Sequence, residues 1–117
     1  MDNKQLGAIG EKHAAEYLKS KNYKILQLNF TCRYGEIDII AKHKKSIVFV
    51  EVKTRRSTNF GKGMEAVNFY KQQKLRKVAL YYLNKNAHIF SDIRFDVIDI
   101  LIQNECEIRI EHIENAF

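Results

Sequence analysis

Two acidic side chains and a lysine stand close together in two neighbouring segments that alternate like strands. Asp38 lies in the segment that begins at Gly35, and Glu51 and Lys53 end the following one. Successive side chains of a strand point to opposite faces, so Glu51 and Lys53 share one face. If a hairpin turn centres on residues 44–45, Asp38 lies directly opposite Glu51. Two carboxylates that close repel each other unless they are protonated or bridged by a cation.

This set of groups suits metal-dependent cleavage of a phosphodiester bond. Mg²⁺ or Mn²⁺ takes oxygen ligands, typically one or two carboxylates together with waters and a substrate phosphate. Asp38 and Glu51 would supply the carboxylates, and the backbone carbonyl of Val52 would add a neutral oxygen. Lys53 would orient the attacking water or stabilise the transition state. The alternative is a cross-strand salt bridge between Lys53 and either acid on a solvated face.

Two residues on the predicted helices could join this site. Glu11 lies at the margin of the apolar arc of the first helix, where it could orient a second metal or a water. The alternative for Glu11 is a boundary residue that extends into solvent. Lys71 lies within the core-facing stripe of the second helix and needs a partner there, either a phosphate or one of the acids. Its alternative is to extend from the first turns of that helix into solvent.

Basic side chains also flank the predicted hairpin on loops. They are candidate contacts to phosphate, which position a nucleic acid without reading its sequence, or else ordinary solvated loop residues. These residues are Arg33 before the hairpin and Arg55, Arg56 and Lys62 after it.

The elements that must position these residues follow from the hydrophobic periodicity. The pattern predicts helices over 3–21 and 64–85, and strands over 23–30, 35–41, 47–53, 93–102 and 105–113. The order αβββαββ indicates an α/β fold, a mixed β-sheet of about five strands flanked by helices. We expect residues 1–117 to form a single domain.

Composition and charge narrow the class of protein. The chain has 117 residues, of which 45% are hydrophobic and 29% charged, as in a globular protein and unlike a disordered one. No apolar run approaches the ~20 residues of a membrane span, and the two cysteines form no pair, so we expect a cytoplasmic protein without a membrane partner. Residues 1–90 hold 18 basic and seven acidic side chains. This excess of positive charge favours a nucleic acid as partner, although an unevenly charged solvated surface would also explain it.

A family resemblance covers nearly the whole chain. Residues 35–41 and 48–55, with Gly10-Glu11, Lys71 and 94–97, resemble the YraN-type uncharacterised protein family. That family is grouped with predicted endonucleases similar to archaeal Holliday junction resolvases, of the restriction-endonuclease-like PD-(D/E)xK class.

The resemblance implies a restriction-endonuclease-like fold and roles for four residues. It implies that Asp38 and Glu51 are metal ligands, that Lys53 is the catalytic lysine and that Glu11 is a helix-borne acid. Ile37 stands where the class often has a proline.

The main functional expectation is therefore a DNA endonuclease that uses Mg²⁺ or Mn²⁺. A homodimer is expected, because one small chain presents one site whereas cutting both strands of a junction needs two. The alternative is a non-catalytic nucleic-acid-binding module on a nuclease-like fold. A third interpretation, an adaptor that binds other proteins, predicts no salt-dependent DNA binding.

Overall fold

The helices and strands follow one another in the predicted order αβββαββ in the computed structural model, which describes residues 2–56, 67–104 and 106–117. Each observed element overlaps its predicted range. The elements are α1 (Asn3–Ser20), β1 (Lys24–Cys32), β2 (Gly35–His43), β3 (Ser46–Arg55), α2 (Phe69–Lys85), β4 (Asp92–Asn104) and β5 (Glu107–Ile113).

The strands form one mixed sheet in the order β1-β2-β3-β4-β5. Neighbouring strands are antiparallel except β3 and β4, which are parallel and are joined through α2. The β2–β3 hairpin turns at residues 44–45, where Lys44 has a left-handed φ of 56°, and its register pairs His43 with Ser46. The predicted turn centre is therefore confirmed.

Each face of the sheet is covered by one helix. Ala14 and Leu18 of α1 are fully buried in a cluster with Val50 and Ile98 of the sheet. Tyr82 of α2 lies in the other cluster, where Phe49 and Phe95 belong to the sheet. Within the described ranges neither helix is long and apolar enough to cross a membrane.

The start of α2 differs from the prediction. The helix was expected from residue 64, but it begins at Phe69, because the side chain of Asn68 caps it by accepting a hydrogen bond of 2.9 Å from the backbone N–H of Lys71. Asn68 itself has extended backbone angles, and Val67 is not helical. Residues 64–66 lie outside the described residues.

The side-chain alternation of β2 breaks at Asp38. Strict alternation along this strand predicts that Ile37 and Ile39 lie on one face, but they lie on opposite faces of the sheet. Ile39 packs in the cluster under α1, whereas Ile37 packs with Ile40 in the cluster under α2. The break coincides with a left-handed φ of 51° at Asn29, which lies on β1 between the partners of Ile37 and Ile39.

The close approach of α1 to β3 at Gly10 gives a test of this packing. A Cβ at Gly10 would overlap the side chain of Thr54, 2.7 Å from its Cγ2. We expect Gly10→Ala to lower the free energy of unfolding by about 1–3 kcal/mol through overpacking. Gly7→Ala on the same helix meets no atom within 4 Å, and should be neutral or stabilise by up to about 1 kcal/mol. Urea unfolding measures both, and equal effects would contradict the contact.

Candidate active site

Asp38 and Glu51 form a pair of buried carboxylates where β2 separates from β3. Their exposed fractions are 9% and 8%. The last pair of the β2–β3 ladder on this side is Ile39 with Val50, so the next step of the same register brings Asp38 to Glu51. The predicted juxtaposition of the two acids is therefore present, and their side chains are hydrogen-bonded to each other.

The two carboxylates strongly perturb the ionisation of Asp38. Burial, then the hydrogen bond with Glu51 and the negative charge of Glu51, raise the pKa of Asp38 from 3.8 to about 9. At neutral pH the pair of side chains therefore retains a proton between two oxygens. A divalent cation could take the place of that proton, because it stabilises both carboxylates in their charged form.

The backbone of Val52 completes this group of polar atoms. Its N–H donates a hydrogen bond of 2.8 Å to Oδ2 of Asp38. This carboxylate oxygen takes the place of the backbone carbonyl that would accept the bond in a regular strand pair. The N–H and C=O of one residue in an extended strand project to the same side, so the carbonyl of Val52 also projects toward Asp38. Two carboxylates and one carbonyl are a donor set that fits Mg²⁺ or Mn²⁺.

Two lysines lie beside the carboxylates. Nζ of Lys71 is 3.2 Å from Oε2 of Glu51, so the predicted need of Lys71 for a partner is met by one of the acids. Burial lowers the pKa of Lys53, and so does Lys71, because the ammonium group of Lys71 can donate a hydrogen bond to Lys53 only when Lys53 is a neutral amine. Burial alone would lower the pKa of Lys71 as well, but the hydrogen bond with Lys53 and the charge of Glu51 raise it overall. Lys53 is thus the easier of the two to deprotonate.

Glu11 lies at the margin of the site. It is half-buried on α1, where burial and then the charge of Glu36 raise its pKa, while a hydrogen bond with Asn29 opposes the shift. The charge of Glu51 also acts on it, more weakly. In the described ranges, no three acidic, histidine or cysteine side chains lie close enough to hold one ion, so Glu11 does not complete a three-carboxylate set.

The predicted phosphate contacts divide between different places. Arg33 is exposed in the β1–β2 turn, and its guanidinium donates a hydrogen bond of 2.8 Å to the hydroxyl of Tyr34. Arg55 forms an ion pair of 3.1 Å with buried Asp99, which offsets its charge. Arg56 is exposed at the end of β3 and lines a separate pocket beside α1. Lys62 lies outside the described residues.

An open cleft of about 430 Å³ leads to Glu51. Sequence reasoning found Glu51 and Lys71 in this cleft but missed Tyr70 and Lys74. The signal that could have found them is the pair Phe69-Tyr70, two aromatic residues at the start of an otherwise basic helix. The cleft is lined by Gly35, Glu36, Glu51, Asn68, Tyr70, Lys71, Lys74, Leu75 and Val78.

A second cluster of charged groups lies under α1 and is structural. Asp96 is fully buried, accepts two hydrogen bonds of 2.9 Å from Arg94, and lies 2.7 Å from Nε2 of His112. The backbone N–H of Asn115 also donates to it. Burial raises the pKa of Asp96, but the bonds from His112 and Arg94 outweigh burial and lower it.

Comparison with known families identifies the chain. The model of the family described as "Uncharacterised protein family UPF0102" matches residues 10–100, which include all the carboxylates and lysines described at the site. The chain belongs to the UPF0102 family. This confirms the YraN-type resemblance at the level of the family.

Relatives from several bacteria match this UPF0102 chain over nearly its full length. A UPF0102 protein of Caldanaerobacter subterraneus subsp. tengcongensis is 49% identical, over 100% of this chain and 98% of the relative. A UPF0102 protein of Syntrophomonas wolfei is 50% identical, over 98% and 99% of the two chains. One from Alkaliphilus oremlandii is 51% identical over the same shares. These names state a family and no activity.

Proposed function

We propose that this UPF0102 protein is a metal-dependent endonuclease that hydrolyses phosphodiester bonds of DNA, with branched or otherwise structured DNA as its substrate. One observation carries the proposal: two carboxylates, only 9% and 8% exposed, lie next to each other where β2 separates from β3, and burial together with Glu51 raises the pKa of Asp38 to about 9. Burying two acids against each other weakens a fold, so the arrangement is explained by a ligand that needs both. The nearby Lys53 and Lys71 supply positive charge for a phosphate.

Each side chain has a distinct role in this proposal. Asp38, Glu51 and the Val52 carbonyl would hold a divalent cation. When bound, that cation activates water as a Lewis acid and offsets the charge that develops on the phosphorus oxygens. Lys53, whose pKa is lowered, orients the attacking water or exchanges a proton at Nζ. Lys71 holds Glu51 in place and keeps its charge next to the phosphate.

The other predicted residues act further from the reacting phosphate. Glu11 orients a water from the margin of the site and does not share the ion held by Asp38 and Glu51. Arg33 and Arg56 contact the DNA backbone on either side of the site. Arg55 contributes less, because Asp99 already accepts its hydrogen bonds.

The substrate also bears on assembly and location. Cutting both strands of a junction requires two sites, so we propose that two chains act together on one junction, an assembly that sedimentation velocity with junction DNA would detect. We propose a cytoplasmic location for this chain, because DNA is its proposed substrate.

Cleavage assays on matched DNA substrates test the proposal. A labelled four-way junction and a linear duplex of the same sequence are incubated with Mg²⁺ or Mn²⁺. We expect cleavage by the wild type, and a loss of at least about 100-fold in Glu51→Ala and Lys53→Ala, because each removes a group that stabilises charge in the transition state. Glu51→Gln should show the same loss while preserving the shape of the buried side chain.

Control variants distinguish the effect of losing a surface charge from the effect of losing a residue of the site. Glu16→Ala and Lys12→Ala remove an acid and a base from the exposed surface of α1 and should leave cleavage unchanged. Equal activity in the wild type and the three site variants would exclude the mechanism. Salt-dependent DNA binding without cleavage under any divalent ion would favour the non-catalytic binding module.

A further inference from the structure

Two cation–aromatic pairs flank the open cleft beside Glu51. On α2, Nζ of Lys74 lies 5.6 Å from the ring centre of Tyr70, and both residues line the cleft. In the β1–β2 turn, the guanidinium of Arg33 lies 4.9 Å from the ring centre of Tyr34, and the next residue along the chain, Gly35, lines the cleft. Each pair combines a flat apolar surface with a positive charge.

Within residues 2–56, 67–104 and 106–117, no packing contact accounts for the exposure of Tyr70. Tyr70 is 72% exposed and lies in the first turn of α2, two residues after the cap residue Asn68. Its neighbour Phe69 is equally exposed but does not line the cleft. An exposed ring next to a cation binds the face of a nucleobase well, since base–aromatic stacking requires only an accessible π-face.

We propose that this cleft binds an unpaired segment of DNA, with a base stacked on Tyr70 and phosphates contacted by Lys74 and Arg33. The inference extends the proposed function, on which it rests for DNA as the substrate. Inside a duplex both faces of each base are covered by the neighbouring bases, so away from the duplex ends only an unpaired or extruded base can stack on Tyr70. A cleft of about 430 Å³ is within the range of small-ligand pockets and suits an extruded nucleotide better than an intact helix.

Fluorescence anisotropy in EDTA tests the stacking without hydrolysis. Three labelled DNAs of equal length are compared: a single strand, a blunt duplex, and a duplex with a single-stranded tail. We expect Tyr70→Ala to weaken binding of the single strand and the tailed duplex on the order of tenfold, the effect of losing one stacked base. Binding of the blunt duplex should change by less than about twofold.

Matched variants identify the residues responsible. Tyr70→Phe keeps a ring and should retain binding, whereas Phe69→Ala removes an equally exposed ring outside the cleft and should have no effect. Lys74→Ala should reduce the slope of log K against log salt for the single strand by about 0.7, the share of one phosphate contact. Lys77→Ala, exposed on the same helix and outside the cleft, should leave that slope unchanged.

Several results would overturn the inference. It is refuted if Tyr70→Ala and Phe69→Ala weaken DNA binding equally, or if Tyr70→Ala weakens binding of the blunt duplex as strongly as binding of the single strand. It is also refuted if either variant converts a dimer into a monomer, because the rings would then belong to a protein interface. Failure of the proposed hydrolysis is distinguishable, because binding is measured without metal. Cleavage with unchanged binding in Tyr70→Ala refutes only the stacking site.

Discussion

Replacing Asp38 by asparagine is expected to stabilise the metal-free protein at pH 8. The pKa of Asp38 is about 9 in the folded chain and near 3.8 in its ordinary range, so between these values the folded state binds the extra proton. Wild-type stability therefore falls as the pH rises through this interval. The amide of asparagine can still accept the hydrogen bond from the Val52 N–H and can donate to Glu51, without requiring a proton from solution.

Urea unfolding in EDTA measures this effect. The stability advantage of Asp38→Asn over the wild type should be about 4 kcal/mol larger at pH 8 than at pH 5. Asp99→Asn provides a matched control, because Asp99 is equally buried but is paired with Arg55, so its substitution should destabilise the protein. An advantage independent of pH would contradict the assigned ionisation of Asp38.

The same variant should lose its response to divalent ions. If Asp38 and Glu51 hold a cation in the folded state alone, millimolar Mn²⁺ raises the melting temperature of the wild type. Asp38→Asn should show little or no rise, although its metal-free form is the more stable. A wild type whose melting temperature is insensitive to Mn²⁺ and Mg²⁺ would exclude the proposed ion site.

Replacing Arg94 by alanine is expected to cost about 3–5 kcal/mol of stability, because it leaves a buried charge without its main partner. Asp96 has no exposed surface and receives two hydrogen bonds from Arg94. The guanidinium also donates to the hydroxyl of Tyr23 at 2.6 Å, so its loss affects two buried polar groups.

Urea unfolding at pH 7 measures the cost, with Arg109→Ala as the control. Arg109 is exposed on β5, and its replacement should change stability by no more than about 0.5 kcal/mol. A cost below about 1 kcal/mol for Arg94→Ala would show that His112 and the Asn115 backbone suffice to compensate Asp96.

The local part of the site could be predicted from the sequence. The hairpin turn at residues 44–45 fixes the register of two adjacent strands, and that register places Asp38 at Glu51. The sequence also predicted that Lys71 pairs with a phosphate or with one of the acids, because the positive charge of a lysine in a core-facing stripe needs a partner. In the structure that partner is Glu51.

Features that depend on contacts between distant elements could not be predicted from the sequence. The break of alternation at Asp38 coincides with a left-handed residue, Asn29, on a different strand, which a pattern read along β2 does not contain. The ion pair of Arg55 with Asp99 depends on the register between parallel strands joined by a long crossover, which no turn specifies. The late start of α2 depends on the cap at Asn68, and the exposure of Tyr70 depends on where that start lies.

The early end of the β2–β3 ladder has a consequence for how the site can vary. Beyond the Ile39–Val50 rung, the Val52 N–H donates to the Asp38 carboxylate, and the C=O of an extended residue projects to the same side as its N–H. If β2 continued to pair with β3, the N–H and C=O of Val52 would both form backbone hydrogen bonds with β2. The carbonyl oxygen would then not be available to an ion. Regular strand pairing and ion binding therefore compete for the same stretch of main chain. Substitutions that extend the β2–β3 pairing should make the sheet more regular and remove the proposed ion site.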